Sequence, residues 1–175
     1  MTRTFFHTAA ALALLATGQL AQAAPAKPCM SQAELRGMVA FVLPSVMNSV
    51  VEKCRSSLPA GSAMLTRGVQ LVGELQAGQS AAFPMARIAF AKFSADGKDD
   101  ASDLFLSMPE SSLKPIIEGA ITQELTSSVK VKDCPDFDRV FGTMQPMGAS
   151  NFVELFTQVI TIAARDDKKM SVCSA

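Results

Sequence analysis

The sequence predicts an all-α fold, an irregular or orthogonal bundle of five or six helices stapled by two disulfides. Three observations favour this class. Apolar residues recur every three or four positions over several long segments, which is typical of amphipathic helices. No segment alternates apolar and polar residues as a half-buried strand would. The four cysteines are an even number that can pair, and 49% hydrophobic residues provide for a folded core.

The first 23 residues have the pattern of a secretory signal peptide. Arg3 supplies the positive charge, Ala and Leu fill positions 9–16, and an Ala-Gln-Ala sequence at 21–23 has the small side chains of a cleavage site. We therefore expect residues 1–23 to be cleaved, leaving 24–175 as a single helical domain in the periplasm or secreted from the cell. In that remainder we expect no segment long and apolar enough to span a membrane.

The first helix is predicted to begin at Ser31. Ser31 and Glu34 have the spacing of a capping box, in which each side chain bonds the other residue's backbone N–H. Apolar residues then recur at spacings of three and four from Leu35 to Cys54, giving a wide apolar face. Pro44 removes one backbone donor inside this segment, so we expect a bend and no break.

Two further helices are predicted over 64–78 and from about Pro84 to Phe93. The first should end at Gly78. Its internal Gly68 and Gly73 each destabilise a helix by up to about 1 kcal/mol relative to alanine. We therefore expect these glycines to mark a close approach to a neighbouring helix.

The polar stretch 94–103 predicts a solvated loop, because its aspartates lack the spacing of a calcium-binding loop. A fourth helix is predicted over 113–125, with Pro115 in its first turn. A fifth opens near Cys134, where a proline follows, and the last begins near Asn151 with an acidic residue three positions on, as in a capping box.

The cysteines Cys29, Cys54, Cys134 and Cys173 are predicted to form two disulfides. Cys29 and Cys54 bracket the first helix, whose length of more than about 30 Å far exceeds the roughly 7 Å that a disulfide tolerates between Cα atoms. Two pairings remain: 29–173 with 54–134, and 29–134 with 54–173. Because the termini of a domain often lie close together, we favour the first.

The residue types exclude several classes of function. His7 is the only histidine and lies in the predicted leader, and the chain has no tryptophan or tyrosine. Histidine-dependent nucleophiles and histidine metal sites are therefore excluded, and we expect no cofactor and no metal. Sixteen basic residues balance sixteen acidic ones, which argues against a nucleic-acid partner. The one spacing suited to a lysine base, Ser111-x-x-Lys114, lacks the further motifs of such enzymes.

Three functional hypotheses follow. The first is a small exported, non-catalytic binding protein with a protein partner in the cell envelope. In layout alone, the chain resembles the periplasmic immunity and inhibitor proteins of bacteria, which are likewise short, helical, exported and bridged. This resemblance implies binding without catalysis.

The lowest-ranked hypothesis is a hydrolase of envelope glycans that uses two carboxylates, such as Glu52 and Glu118, although nothing pairs them in sequence.

The second hypothesis is a carrier of an apolar ligand or lipid in a cavity between helices. Methionine and phenylalanine are abundant, and soft methionine side chains beside aromatic rings can line an adaptable cavity. The predicted cavity residues are Met85, Phe90, Phe93, Phe141 and Phe156.

Overall fold

The computed structural model describes residues 29–94, 99–144, 146–164 and 172–173. Within these ranges the chain forms six α-helices and no strand, which confirms the predicted all-α bundle. The predicted leader lies outside the described residues. The helices are α1 (Gln32–Cys54), α2 (Val69–Ser94), α3 (Asp99–Ser107), α4 (Glu110–Ser127), α5 (Cys134–Thr143) and α6 (Ala149–Ala163).

Helix α1 begins at the predicted capping box. The backbone N–H of Ser31 donates to the Glu34 carboxylate at 2.7 Å, and that of Glu34 donates to the Ser31 hydroxyl at 3.2 Å. The helix continues through Pro44, as predicted. The Gln79 side chain of α2 donates to the backbone carbonyl of Phe41 at 2.9 Å, one turn before the proline that disturbs the hydrogen-bond ladder.

Helix α1 lies at the centre of the bundle and is buried on two sides. One side packs against the C-terminal half of α2 and against α4. The other packs against the N-terminal half of α2, α5 and α6. The α4-side cluster consists of Met30, Met38, Phe41, Val42, Phe83, Ala86, Ala89, Phe90, Leu113 and Ile117. The α6-side cluster consists of Leu35, Val39, Leu43, Met47, Leu71, Val72, Leu75, Phe141, Phe152 and Val153.

This double burial explains why α1 is apolar on most of its surface. By length and composition its 23 residues could cross a membrane, so the expectation that no segment after the leader reaches that hydropathy is wrong for this helix. However, 61% of the apolar window is buried inside the fold. Core helices of globular proteins are apolar all round for the same reason.

Helix α2 corrects the prediction of two separate helices. It runs without interruption through Gly78 and Pro84, where the sequence analysis placed an end and a beginning. An interior glycine costs about 1 kcal/mol and an interior proline about 3 kcal/mol. Apolar residues from Leu71 to Phe90 pack against α1 between Leu35 and Met47, and this burial outweighs those local costs.

The close helix–helix approach occurs at Gly37, which the sequence analysis did not identify. A Cβ atom at Gly37 would lie 2.3 Å from the Cβ of Met85 on α2, so only glycine fits there. A Cβ at Gly73 would meet nothing within 4 Å, and one at Gly68 would make an ordinary 3.4 Å contact with Val51. The expected close approach at Gly68 and Gly73 is therefore wrong.

The predicted loop over 94–103 is wrong in its second half, because α3 begins at Asp99. Residues 95–98 lie outside the described residues. The helix is held by tertiary contacts that local polarity does not reveal. Phe105 of α3 packs edge-on against Phe90 of α2 with 5.0 Å between ring centroids. The Arg87 guanidinium donates to two carbonyls at the C-terminal end of α3.

The starts of α4 and α6 also differ from prediction. Helix α4 begins at Glu110, which puts Pro115 in the second turn and not the first. Helix α6 begins two residues before Asn151, and no side chain of the predicted capping box closes it. Instead, the Ala149 backbone N–H bonds the Glu74 carboxylate of α2. A cap from another helix replaces the local one.

The disulfides are Cys29–Cys173 and Cys54–Cys134, with Cα separations of 5.1 Å and 5.6 Å. This confirms the favoured pairing. Cys54 and Cys134 are completely buried with Val51 and Met64, a group called here the buried-end cluster. Two disulfides in a chain of this size indicate an oxidising environment outside the cytoplasm.

Candidate functional site

A groove of about 570 Å³ lies between α1, α2 and α6. Most of its walls are short side chains. These are Ala33, Gly37 and Ala40 of α1, Gly78, Ala81 and Ala82 of α2, and Ala149 and Ser150 of α6. The longer side chains at the groove are Arg36, Glu74, Leu75, Met85 and Val153.

The groove follows from the spacing of small residues along two helices. Positions 33, 37 and 40 are four and three apart, so they lie on one face of α1. Positions 78, 81, 82 and 85 do the same on α2. Because alanine and glycine project little or nothing from the helix, two facing rows of them leave a depression between the helix axes. Gly37 and Met85, where the two helices come closest, both line this depression.

Polar contacts hold α6 as the third wall. Arg36 of α1 forms an ion pair with Glu154 at 3.2 Å, and the Thr161 hydroxyl lies 3.4 Å from the Gln32 side-chain oxygen. Gln32 thus lies opposite Thr161, and Arg36, which is later in α1, lies opposite Glu154, which is earlier in α6. The two helices therefore run antiparallel. Both residues of the ion pair are about half exposed, so this contact is worth at most about 1 kcal/mol.

A network of polar groups closes one end of the groove. Arg67 and Glu74 form an ion pair at 2.6 Å, and the Gln70 amide donates to the same carboxylate at 3.1 Å. The hydrogen bond from Arg67 holds the pKa of Glu74 below its usual range, opposed by desolvation and aided by the Ala149 N–H. The charged side chains at the groove, Arg36 and Glu74, are thus both in ion pairs, and the remaining lining is mostly apolar.

The five predicted cavity residues do not come together. Met85 lies at the groove and is 39% exposed. Phe90 is buried in the α4-side cluster, whereas Phe93 is exposed near the end of α2. Phe141 and Phe156 both pack against Phe152 in the α6-side cluster, at 5.8 Å and 4.9 Å between ring centroids. These rings fill core volume between helices.

The two carboxylates named for the glycan-hydrolase hypothesis, Glu52 and Glu118, each have another partner in the structure. The pKa of Glu52 is lowered by its hydrogen bond with Arg55, although desolvation opposes the shift. A general acid in glycan cleavage needs a raised pKa. Glu118 accepts the Gln79 amide at 3.0 Å and so has a structural partner. Lys114 is paired with Glu110, and its ammonium lies 4.9 Å from the Phe83 ring centroid.

Comparison with known proteins adds no assignment: no family model matches the sequence, and no curated protein or solved structure matches it. Among the residues that the structure describes, no group of three or more His, Cys, Asp or Glu side chains could hold a metal ion. The groove and its paired charges are therefore the features from which a function can be inferred.

Proposed function

We propose that the chain is a small exported, non-catalytic binding protein of the periplasm or the extracellular space, which binds a protein partner through the groove between α1, α2 and α6. The groove of about 570 Å³ carries this proposal. It stands on helices that are fixed to one another by close packing and by Arg36–Glu154. The two disulfides and the predicted leader support an exported protein.

The dimensions of the groove suit a helical segment of the partner. At a rise of about 1.5 Å per residue, its α1 wall from position 33 to 40 is about 10 Å long and its α2 wall from 74 to 85 about 16 Å. That is two to three turns of a helix. Walls of alanine and glycine allow another backbone to approach closely, and an apolar helix in a groove is a common mode of recognition.

The charges at the groove favour an uncharged apolar segment. Arg36 is paired with Glu154, and Glu74 is paired with Arg67, so each charge already has an opposite neighbour. A strongly charged occupant would have to compete with these pairs. We therefore expect an affinity that depends little on ionic strength, since screening by salt acts mainly on unpaired surface charge.

A carrier of an apolar ligand is the second candidate. The groove volume falls in the range of small-molecule sites, roughly 300–1,000 Å³, and one predicted cavity residue, Met85, lies at it. The absence of the other four from the groove weakens this candidate. Native mass spectrometry of the purified protein distinguishes the two: a carrier retains a co-purifying lipid, whereas a protein-binding module does not.

The test fills the groove at one position and compares a matched variant. Ala81 lines the groove on α2 and is exposed, so Ala81→Leu should occupy the site without disturbing the core. Ala120 is exposed on α4 and does not line the groove, so Ala120→Leu adds the same side chain elsewhere. Both variants should keep the wild-type melting temperature within a few degrees.

Affinity capture from the compartment of export then uses the wild type and both variants. We expect a protein that the wild type and Ala120→Leu retain and that Ala81→Leu loses. With that protein purified, Ala81→Leu should raise the dissociation constant at least about tenfold, which corresponds to 1.4 kcal/mol. Equal binding by both variants would contradict the assignment of the groove.

A further inference from the structure

The two disulfides differ in their access to solvent. Cys54 and Cys134 have no exposed surface and lie against Val51 and Met64. Cys29 and Cys173 are partly exposed. Thiol–disulfide exchange requires an attacking thiolate to reach a sulfur atom in line with the bond. A reagent in solution therefore has more access to the partly exposed Cys29–Cys173 pair than to Cys54–Cys134, which must first be uncovered by unfolding.

Cys29 also lies at the N-terminus of a long helix and beside a lysine. Cys29 lies two residues before the N-cap Ser31, at the positive end of the 23-residue helix α1. The ammonium of Lys92 lies 3.2 Å from the Cys29 carbonyl oxygen. Both oxygens of the Glu34 carboxylate accept from this ammonium at 2.8 Å and balance its charge, so the helix N-terminus supplies the remaining positive potential. Cations and helix N-termini are the features that stabilise cysteine thiolates in proteins.

We propose that the Cys29–Cys173 bond is a thiol–disulfide exchange site for an external dithiol, with Cys29 as the leaving thiolate. Its substrate class is a dithiol oxidoreductase or a small dithiol in the compartment where the protein resides. The Cys54–Cys134 bond takes no part in the exchange and keeps the other end of α1 closed. This inference is independent of the groove and of what the groove binds.

The exchange balances in two steps. A thiolate of the external dithiol attacks Sγ of Cys173, a new S–S bond forms, and the Cys29–Cys173 bond breaks with its electron pair going to Cys29 as a thiolate. The second thiol of the dithiol loses its proton to solvent and attacks the dithiol's own sulfur in the mixed disulfide. Cys173 then leaves as a thiolate. Two electrons pass to the protein, and the dithiol becomes a disulfide.

Opening this bond leaves few described contacts between the chain ends. The Cys173 backbone N–H donates to the Met30 carbonyl at 2.8 Å, and Met30 and Val172 form an isolated parallel bridge. These contacts lie directly beside the disulfide, whose two cysteines are 144 positions apart in sequence. The helices α1 and α5 remain joined by Cys54–Cys134. Val172 and Met30 also pack against the two core clusters, so we expect exchange to loosen this end of the molecule while the bundle stays folded.

The first experiment treats the native protein with dithiothreitol, traps free thiols by alkylation at timed intervals, and locates them by peptide mapping. We expect alkylation at Cys29 and Cys173 at least about tenfold faster than at Cys54 and Cys134, because the buried pair must wait for unfolding. Equal rates for the two pairs, or faster reduction of the buried pair, would overturn the proposal.

The second experiment separates the charge at Cys29 from a general loosening of the fold. Lys92→Gln removes the cation and should slow reduction of Cys29–Cys173 about two- to fivefold, the range of one such interaction. Glu34→Gln keeps a residue that can complete the capping box but frees Lys92 from its anion, so it should accelerate reduction. Lys53→Gln, at the other end of α1, should leave the rate unchanged.

A purely structural contact gives a different result. If the Lys92–Glu34 pair only braces this end of the chain, both variants loosen it, and both accelerate reduction. Acceleration by Lys92→Gln, or no change, would therefore overturn the assignment of Cys29 as the stabilised leaving group. The rate at Cys54–Cys134, measured in the same samples, reports any global unfolding and must stay constant across the variants.

Discussion

Each end of helix α1 is closed by a disulfide, but the two ends are built from different interactions. At the C-terminal end, Cys54 bonds Cys134 inside the buried-end cluster, and Asp138 of α5 accepts the backbone N–H of Met64 at 2.7 Å. At the N-terminal end, the partly exposed Cys29–Cys173 bond lies beside the ion pair of Lys92 and Glu34.

The difference shows that a disulfide can have two roles, depending on whether apolar packing or charged side chains surround it. Where apolar packing surrounds the disulfide, the bond and the packing stabilise the same contacts and are lost together. Where the bond is partly exposed and its neighbours are charged, the proposed exchange predicts that the link depends on reductant. The first end should therefore respond to changes of volume, and the second to changes of charge and redox state.

The largest effect should come from removing the disulfides separately. By chain entropy alone, the separations of 80 and 144 residues correspond to roughly 4.5 and 5 kcal/mol. Cys54→Ala with Cys134→Ala also leaves a cavity, so we expect a loss of about 5 kcal/mol in the free energy of unfolding. Cys29→Ala with Cys173→Ala lets the tail gain freedom in the native state too, which reduces the loss to about 3 kcal/mol.

Urea unfolding of the two double variants measures this difference. A larger loss of unfolding free energy in the Cys29→Ala, Cys173→Ala variant than in the Cys54→Ala, Cys134→Ala variant would contradict the comparison. Chain entropy would then outweigh packing.

A second variant perturbs the N-terminal part of α1, where this helix comes closest to α2. Gly37→Ala forces a Cβ into the space of Met85, and the two helices must separate, so we expect a loss of about 2–3 kcal/mol. Gly73→Ala on α2 meets open space and should instead stabilise by up to about 1 kcal/mol. Thermal unfolding of both variants measures these opposite changes in stability. A loss of stability in both would contradict the expectation that Gly73→Ala gains from helix propensity.

A third variant sharpens the account of the buried end. Asp138→Ala removes the acceptor of the Met64 N–H, which then lies partly buried without a partner, so we expect a loss of about 1–2 kcal/mol. The neighbouring Asp136 is highly exposed and forms an ion pair with the equally exposed Arg139. Asp136→Ala should change the free energy of unfolding by less than about 0.5 kcal/mol. Equal effects in urea unfolding would argue against a specific role for Asp138.

The smallest effect should be a pH dependence at the exposed end. Burial raises the pKa of Glu34, but hydrogen bonds from Lys92 and Ser31 outweigh it and bring the net pKa below 4.5. A carboxyl with a lower pKa in the folded state contributes stability above its unfolded pKa and loses it as the pH falls through the folded pKa. The wild type should therefore lose more stability than Glu34→Gln between about pH 5 and pH 3. Thermal unfolding of the two proteins at each pH measures this difference, and equal losses of stability in both would contradict the prediction.

Local signals were sufficient for part of the fold. The capping box at Ser31 and the apolar repeat of α1 act within one helix, so the sequence alone predicts them. Helix length and the proximity of chain ends favoured the correct disulfide pairing. The continuity of α2 through Pro84 and the helical start of α3 at Asp99 depend on contacts with other helices, which local propensity does not contain.

The groove could be predicted even less. Its walls are alanines and glycines, which are common helix residues and have no chemistry that singles them out. Only the structure shows that Ala33, Gly37 and Ala40 face Ala81 and Ala82 across a gap. The abundance of methionine and phenylalanine predicts a cavity, but of the five predicted cavity residues only Met85 lines the groove. Phenylalanine rings are needed instead to fill the core.

Site-specific photo-cross-linking tests the proposed binding surface most directly. A photoreactive side chain at position 85, beside the groove, is compared with one at position 120 on α4 in the compartment of export. The account predicts a defined covalent protein adduct from position 85 and none from position 120. A lipid adduct from position 85, equal adducts from both positions, or no adduct from position 85 would contradict it.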